Sequence, residues 1–97
     1  GQNVAVGYNT LAANTTAAGV VAVGTGALDA NTTGSDNTAL GKHALGANTT
    51  ASNNVAVGYA SLTANTTVSN LTAVGYAALT AQTTGSGNAV GHESVFQ

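Results

Sequence analysis

The side chains able to do acid–base, metal or nucleophilic chemistry are few and scattered. The carboxylates are Asp29, Asp36 and Glu93, the imidazoles are His43 and His92, the only ammonium side chain is Lys42, and there is no cysteine. Asp29, Asp36 and the amide of Asn31 offer oxygens of the kind calcium takes. One repeat away, the position of Asp29 holds Ala, Gly or Thr. The oxygens therefore do not recur, and two separate surface acids are expected. His43 and His92 have no carboxylate or thiolate company, which argues against a metal centre or a general base. No Ser-His-Asp set is discernible, and a glycan-cleaving site needs paired carboxylates. The sequence reads as non-enzymatic and free of cofactors.

Two other residue sets carry chemistry. Asn14, Asn31, Asn48 and Asn65 each precede two threonines and match the N-glycosylation sequon, as does Asn70-Leu71-Thr72. The simpler reading is that these asparagines stack on one another. Tyr8, Tyr59 and Tyr76 each follow a glycine and are candidate surface contacts, because aromatic faces stack on sugars or receptor groups. The competing expectation is that they cover a corner and pack on their neighbours.

The elements that position these residues are written in a repeat. NVAVGY occurs at Asn3–Tyr8 and again at Asn54–Tyr59. Between and beyond them the motif recurs as AVG, AVG, ALG, AVG and AVG, ending at Gly7, Gly24, Gly41, Gly58 and Gly75, and once more at Gly91. The period is 17 residues, shortened to 16 in the last unit. A fixed period of this kind announces a stacked architecture. Residues 1–97 are read as one repeat domain of about six coils, a piece of a longer fibrous protein.

Composition narrows the class further. Charged residues make up 4% of the chain, against about a quarter in typical domains. One Lys and no Arg exclude a nucleic-acid surface. No run approaches the roughly 18 apolar residues of a membrane helix, so no membrane insertion is expected. The apolar share is Ala, Val and Leu with almost no aromatics, too small-sided for one compact core. Stability must come from repetition or from partner chains.

Within each unit two stretches alternate with period two, which predicts strands. The first holds Val6, Val23, Leu40, Val57 and Val74 just before the glycine. The second centres on Leu11, Leu28, Leu45, Leu62 and Leu79. Both sets are predicted to fill the coil interior. Gly7, Gly24, Gly41, Gly58, Gly75 and Gly91 suit sharp corners. The Asn-Thr-Thr segment reads as a connecting loop. Asn14, Asn31, Asn48, Asn65 and Gln82 share one position and predict a ladder of amide hydrogen bonds. The units then stack as a parallel β-solenoid, a rod roughly 25–30 Å long at the usual strand spacing.

One column does not fit a lone coil. Ala5, Ala22, Ala39, Ala56, Ala73 and Ala89 lie between the aliphatic residues, and a solvent-facing site would vary more. The alanines are therefore expected to pack against identical chains. The opposite arrangement, with Ala inside and Val and Leu meeting the partners, also leaves an apolar stripe for association.

The pattern N-x-A-[VIL]-G-Y-x-A-L with its NTTGS-type loop resembles the head repeats of trimeric autotransporter adhesins of the YadA type. It equally resembles repeats of tail-fibre-domain proteins of phages and bacteria. The likeness spans essentially the whole chain. It implies a left-handed β-roll, a homotrimer, and an extracellular, cell-surface or virion location with an attachment surface for a host receptor or glycan. The unit here is longer than the adhesin unit, and the extra residues fall in the Asn-Thr-Thr loop. Two other readings compete. One is a self-assembling structural filament. The other is an ice-binding solenoid, which would want alternating threonines where this chain has adjacent ones.

Overall fold

The computed structural model describes residues 2–80 and 88–91. Among them the chain is all-β, with six three-residue strands: β1 (Val4–Val6), β2 (Val21–Val23), β3 (Thr38–Leu40), β4 (Val55–Val57), β5 (Thr72–Val74) and β6 (Asn88–Val90). They form one parallel sheet in chain order. The register places like on like: Ala5 beside Ala22, Ala22 beside Ala39, Ala39 beside Ala56 and Ala56 beside Ala73. β5 and β6 align Val74 with Val90, so the sheet stays in step through the shortened unit. Parallel neighbours need a long return path. Here that path winds round as one turn of a β-solenoid.

The return path is hydrogen-bonded from coil to coil almost as fully as the strands. Gly24 N donates to Val6 O, Gly26 N to Tyr8 O, Leu28 N to Ala44 O, Thr32 N to Thr49 O and Asp36 N to Ala18 O. The same bonds recur in the following coils, for example Leu45 N to Ser61 O and Thr49 N to Thr66 O. Buried amides thus find partners in the coil above or below, as Leu28 does in Ala44, or within their own turn, as Ala27 does in Gly24, in keeping with the demand that buried backbone groups be paired.

The second predicted strand is not a strand. Leu11, Leu28, Leu45, Leu62 and Leu79 lie in turns, with φ between 50° and 54°. The chain leaves each corner through overlapping turns: Ala27 N to Gly24 O, Asp29 N to Gly26 O and Asn31 N to Leu28 O. Positive φ at the third residue marks type II turns, which ordinarily place Gly or Asn there. Gly26 and Asn9 satisfy that preference, whereas His43, Ala60, Ala77 and the leucines hold the conformation without it. Left-handed backbone costs about 1–2 kcal/mol per residue. Burying a Leu side chain returns about 1.5–3 kcal/mol. Leu28, Leu45, Leu62 and Leu79 are fully buried, and Leu11 partly so. Burial therefore offsets the backbone strain.

The strand faces are the reverse of the first expectation. Ala22, Ala39, Ala56 and Ala73 are fully buried in the coil interior, not at an outer packing surface. Val6 is 57% exposed and Leu40 47% exposed, while Val23, Val57 and Val74 are half-buried on the same outward face. Val6, Val23, Leu40, Val57 and Val74 therefore do not fill the coil interior, contrary to the expectation from the sequence. Ala5, in the first coil, is exposed, and the side chain of Ala89 lies outside the described set. The reason is width. The facing wall already sends in Leu from the turns and Asn from the polar segment, and the structure is only 15 Å across its thinnest axis. Behind the sheet there is room for a methyl group.

The corner glycines are required by contact as well as by angle. Gly41 has φ 136°, and a Cβ built on it would meet the carbonyl carbon of Gly58 at 2.7 Å. Gly24 stands in the same relation to Gly41.

Ala56→Leu is expected to lower stability by about 1–3 kcal/mol through overpacking, and Leu62→Ala by about 2–5 kcal/mol. Urea denaturation followed by circular dichroism checks both. An Ala56→Leu chain as stable as the parent would show that the alanine methyls do not face a filled interior.

Candidate association surface

Three surfaces surround the coil, each a stack of equivalent positions. The outer sheet face comes from the residues flanking the inward alanines. Val4, Val6, Val21 and Leu40 are exposed, and Val23, Val55, Val57 and Val74 are half-buried. Thr38 and Thr72 interrupt one of its two columns without adding charge. Period-two alternation dictates this arrangement: once Ala turns in, both neighbours must turn out. The result is an apolar face crossing the sheet, unbroken along the column Val6, Val23, Leu40, Val57 and Val74.

The corner carries the second surface. Tyr8, Tyr59 and Tyr76 are exposed immediately after their glycines. Tyr59 and Tyr76 stack on each other, with ring centroids 5.2 Å apart and planes 14° from parallel. His43 approaches Tyr59 edge-on at 6.3 Å. Tyr8 stands apart, with Thr25 and Lys42 between it and the pair in the column. Ring-on-ring stacking occupies faces that a sugar would need, so packing on neighbouring coils accounts for Tyr59 and Tyr76.

The third surface is the Asn-Thr-Thr segment, which is a wall of the solenoid and not a loose connection. Its inward residues recur every third position: Leu28, Asn31, Gly34 and Asn37 are all buried. Asn48 Nδ2 donates to Asn31 Oδ1 at 2.9 Å and to Ala51 O at 3.1 Å. Asn65 Nδ2 donates to Asn48 Oδ1 at 3.1 Å, and Asn31 Nδ2 reaches Asn14 Oδ1 at 3.4 Å. Asn65 Oδ1 has no partner among the described residues. Gln82, the next rung of the sequence pattern, lies outside them.

Further ladders went unread in the sequence. Asn37 Nδ2 donates to Ala51 O, and its Oδ1 accepts from Asn54 N; Asn54 Oδ1 in turn accepts from Leu71 N. Ser35, Ser52 and Ser69 accept backbone N–H bonds from Ala18, Ser35 and Ser52. The hydroxyls of Thr15, Thr32 and Thr49 donate to the carbonyls of Thr32, Thr49 and Thr66. The recurrence of Ser and Asn at fixed positions was the available signal. Their turn-like composition concealed it.

These ladders bear on the competing readings. Asn31, Asn48 and Asn65 are buried with their amides engaged, so the sequon match reflects stacking, while Asn70 is exposed. The amide oxygen of Asn31 accepts from Asn48 Nδ2 inside the wall, which removes it from the set drawn with Asp29 and Asp36. Among the described residues one threonine column, Thr16, Thr33, Thr50 and Thr67, is exposed throughout, whereas Thr32 and Thr49 of the adjacent column are half-buried. Among the described residues there is no cavity and no cluster of three or more metal-ligating side chains. No helix there is long and apolar enough to cross a membrane.

Asn48→Ala is expected to cost about 1–3 kcal/mol, because Asn31 Oδ1 and Asn65 Nδ2 each lose a buried partner. Thr50→Ala, on the exposed column, is expected to stay within about 0.5 kcal/mol of the parent. Denaturant midpoints of the two variants compare them directly.

Comparison of the chain with protein-family models, with curated proteins and with solved structures gave no match.

Proposed function

We propose that this chain is a non-enzymatic structural module of an extracellular or virion fibre, in which identical chains associate through the outer sheet face. The observation that carries the reading is that aliphatic face. The strands themselves send only alanine methyls into the interior, while Val4, Val6, Val21 and Leu40 stand in solvent. A continuous exposed apolar surface on a soluble protein marks an interaction site, and closed symmetry about the rod axis would bury it in every chain at once. The likeness to YadA-type head repeats favours three chains and a left-handed roll. In that arrangement the polar Asn-Thr-Thr wall and the unstacked corner residues Tyr8, Thr25 and Lys42 face outward and form the attachment surface for a receptor or glycan.

A filament subunit is the second reading. It rests on the parallel pairing that runs in register from β1 to β6, a backbone pattern that further copies could continue. Electron microscopy of the purified chain separates the two: short discrete rods support the fibre module, and long end-to-end threads support the filament.

Sedimentation velocity is expected to show a discrete oligomer. Val57→Glu is expected to shift it to monomer while the β-type circular dichroism spectrum is retained, because residue 57 points away from the interior. A parent chain that sediments as a stable monomer would overturn the reading.

A further inference from the structure

Tyr59 and Tyr76 occupy one position in successive coils, and they are the only pair of phenols in ring contact among the described residues. Both rings are partly in solvent, at 44% and 51% exposure. Their backbones are held in step, since Ala77 N donates to Tyr59 O at 2.7 Å and Gly75 N to Val57 O at 2.7 Å. The chain contains no Cys, Met or Trp. An oxidant meeting it finds no thiol, thioether or indole, so the phenols are its best electron donors.

From these observations we propose that Tyr59 and Tyr76 form an oxidative modification site, at which a peroxidase-type one-electron oxidant of phenols joins the rings as an intrachain dityrosine. Each phenol gives up one electron and one proton to become a phenoxyl radical. The two radicals couple through ring carbons ortho to oxygen, forming one carbon–carbon bond. The ortho hydrogens then move to the oxygens and restore both phenols. One hydrogen peroxide takes up the two electrons and two protons and becomes two waters. Near-parallel rings already in contact need no diffusional encounter, and that proximity favours coupling within the chain over coupling between chains. Tyr8 is the most exposed of the three, at 75%, but has no ring neighbour among the described residues. Contact, not exposure, selects the pair. The product would tie the fourth coil to the fifth covalently, in a chain that has no disulfide.

The test is treatment of the whole chain with peroxidase and hydrogen peroxide. It is read by dityrosine fluorescence, denatured mass and peptide mapping. The expected product is a single chain lighter by two hydrogens, with the link mapped to Tyr59 and Tyr76 and a yield unchanged on serial dilution. Tyr59→Phe and Tyr76→Phe keep the ring stack and are each expected to lose the signal, whereas Tyr8→Phe keeps it. Links found only between chains, links through Tyr8, a yield that falls with dilution, or no dityrosine at all would overturn the proposal. The readout does not depend on oligomeric state, because intrachain and interchain products differ in denatured mass.

Discussion

Every coil of this protein is held by hydrogen bonds to its own copy one coil away. The parallel register of β1 through β6 is the visible part of that constraint. Its larger part lies outside the sheet, where turn and wall amides bond from coil to coil. An interior this narrow cannot stabilise itself by bulk hydrophobic burial. It relies on repetition, in which each new coil adds the same backbone bonds, the same Leu and the same amide rung. Stability of stacked repeats is approximately a sum of unit and nearest-neighbour terms, and here the neighbour term dominates because isolated coils have little inside them.

That constraint explains departures from ordinary preference. Leucine is a poor choice for left-handed backbone, yet Leu28, Leu45, Leu62 and Leu79 adopt it in turn after turn. The overlapping turns fix where the chain goes, and the inward site they create takes a large apolar group. Asparagine is an unusual core residue, yet Asn31, Asn48 and Asn65 are fully buried. Asn31 and Asn48 each donate to the rung before and accept from the rung after, and Asn65 donates to Asn48, so stacking offsets the penalty that a lone buried amide would carry.

Much of this was legible in the letters, and the rest was hidden for definite reasons. The period, the strand before each glycine and the parallel stacking follow from AVG and its recurrence. The sense of the strand faces does not. In Val-Ala-Val, period two says there are two faces but not which is inside; that depends on what the opposite wall contributes. Alternation around Leu suggests a strand, because type II turns ordinarily carry Gly or Asn, not Leu, at the third position. The wall has the composition of a loop because Asn, Thr, Ser and Gly serve turns and ladders alike, and its period of three is masked by two adjacent threonines. For the outer surface, Tyr8, Tyr59 and Tyr76 were found by position, but only the structure separates the stacked pair from the solitary ring.

The identity of successive layers has a genetic consequence. The second NVAVGY begins three repeats after the first, in the same register. Unequal recombination between such near-identical stretches would insert or remove whole coils, leaving every column aligned and every rung intact. Each coil gained or lost would change the rod by about 4.8 Å. A stray single-residue shift would have to be absorbed locally, as the shortened unit before β6 absorbs one while keeping Val90 beside Val74. The cross-section of this rod is dictated by chemistry, but its reach is a digital quantity that a population can adjust by copying.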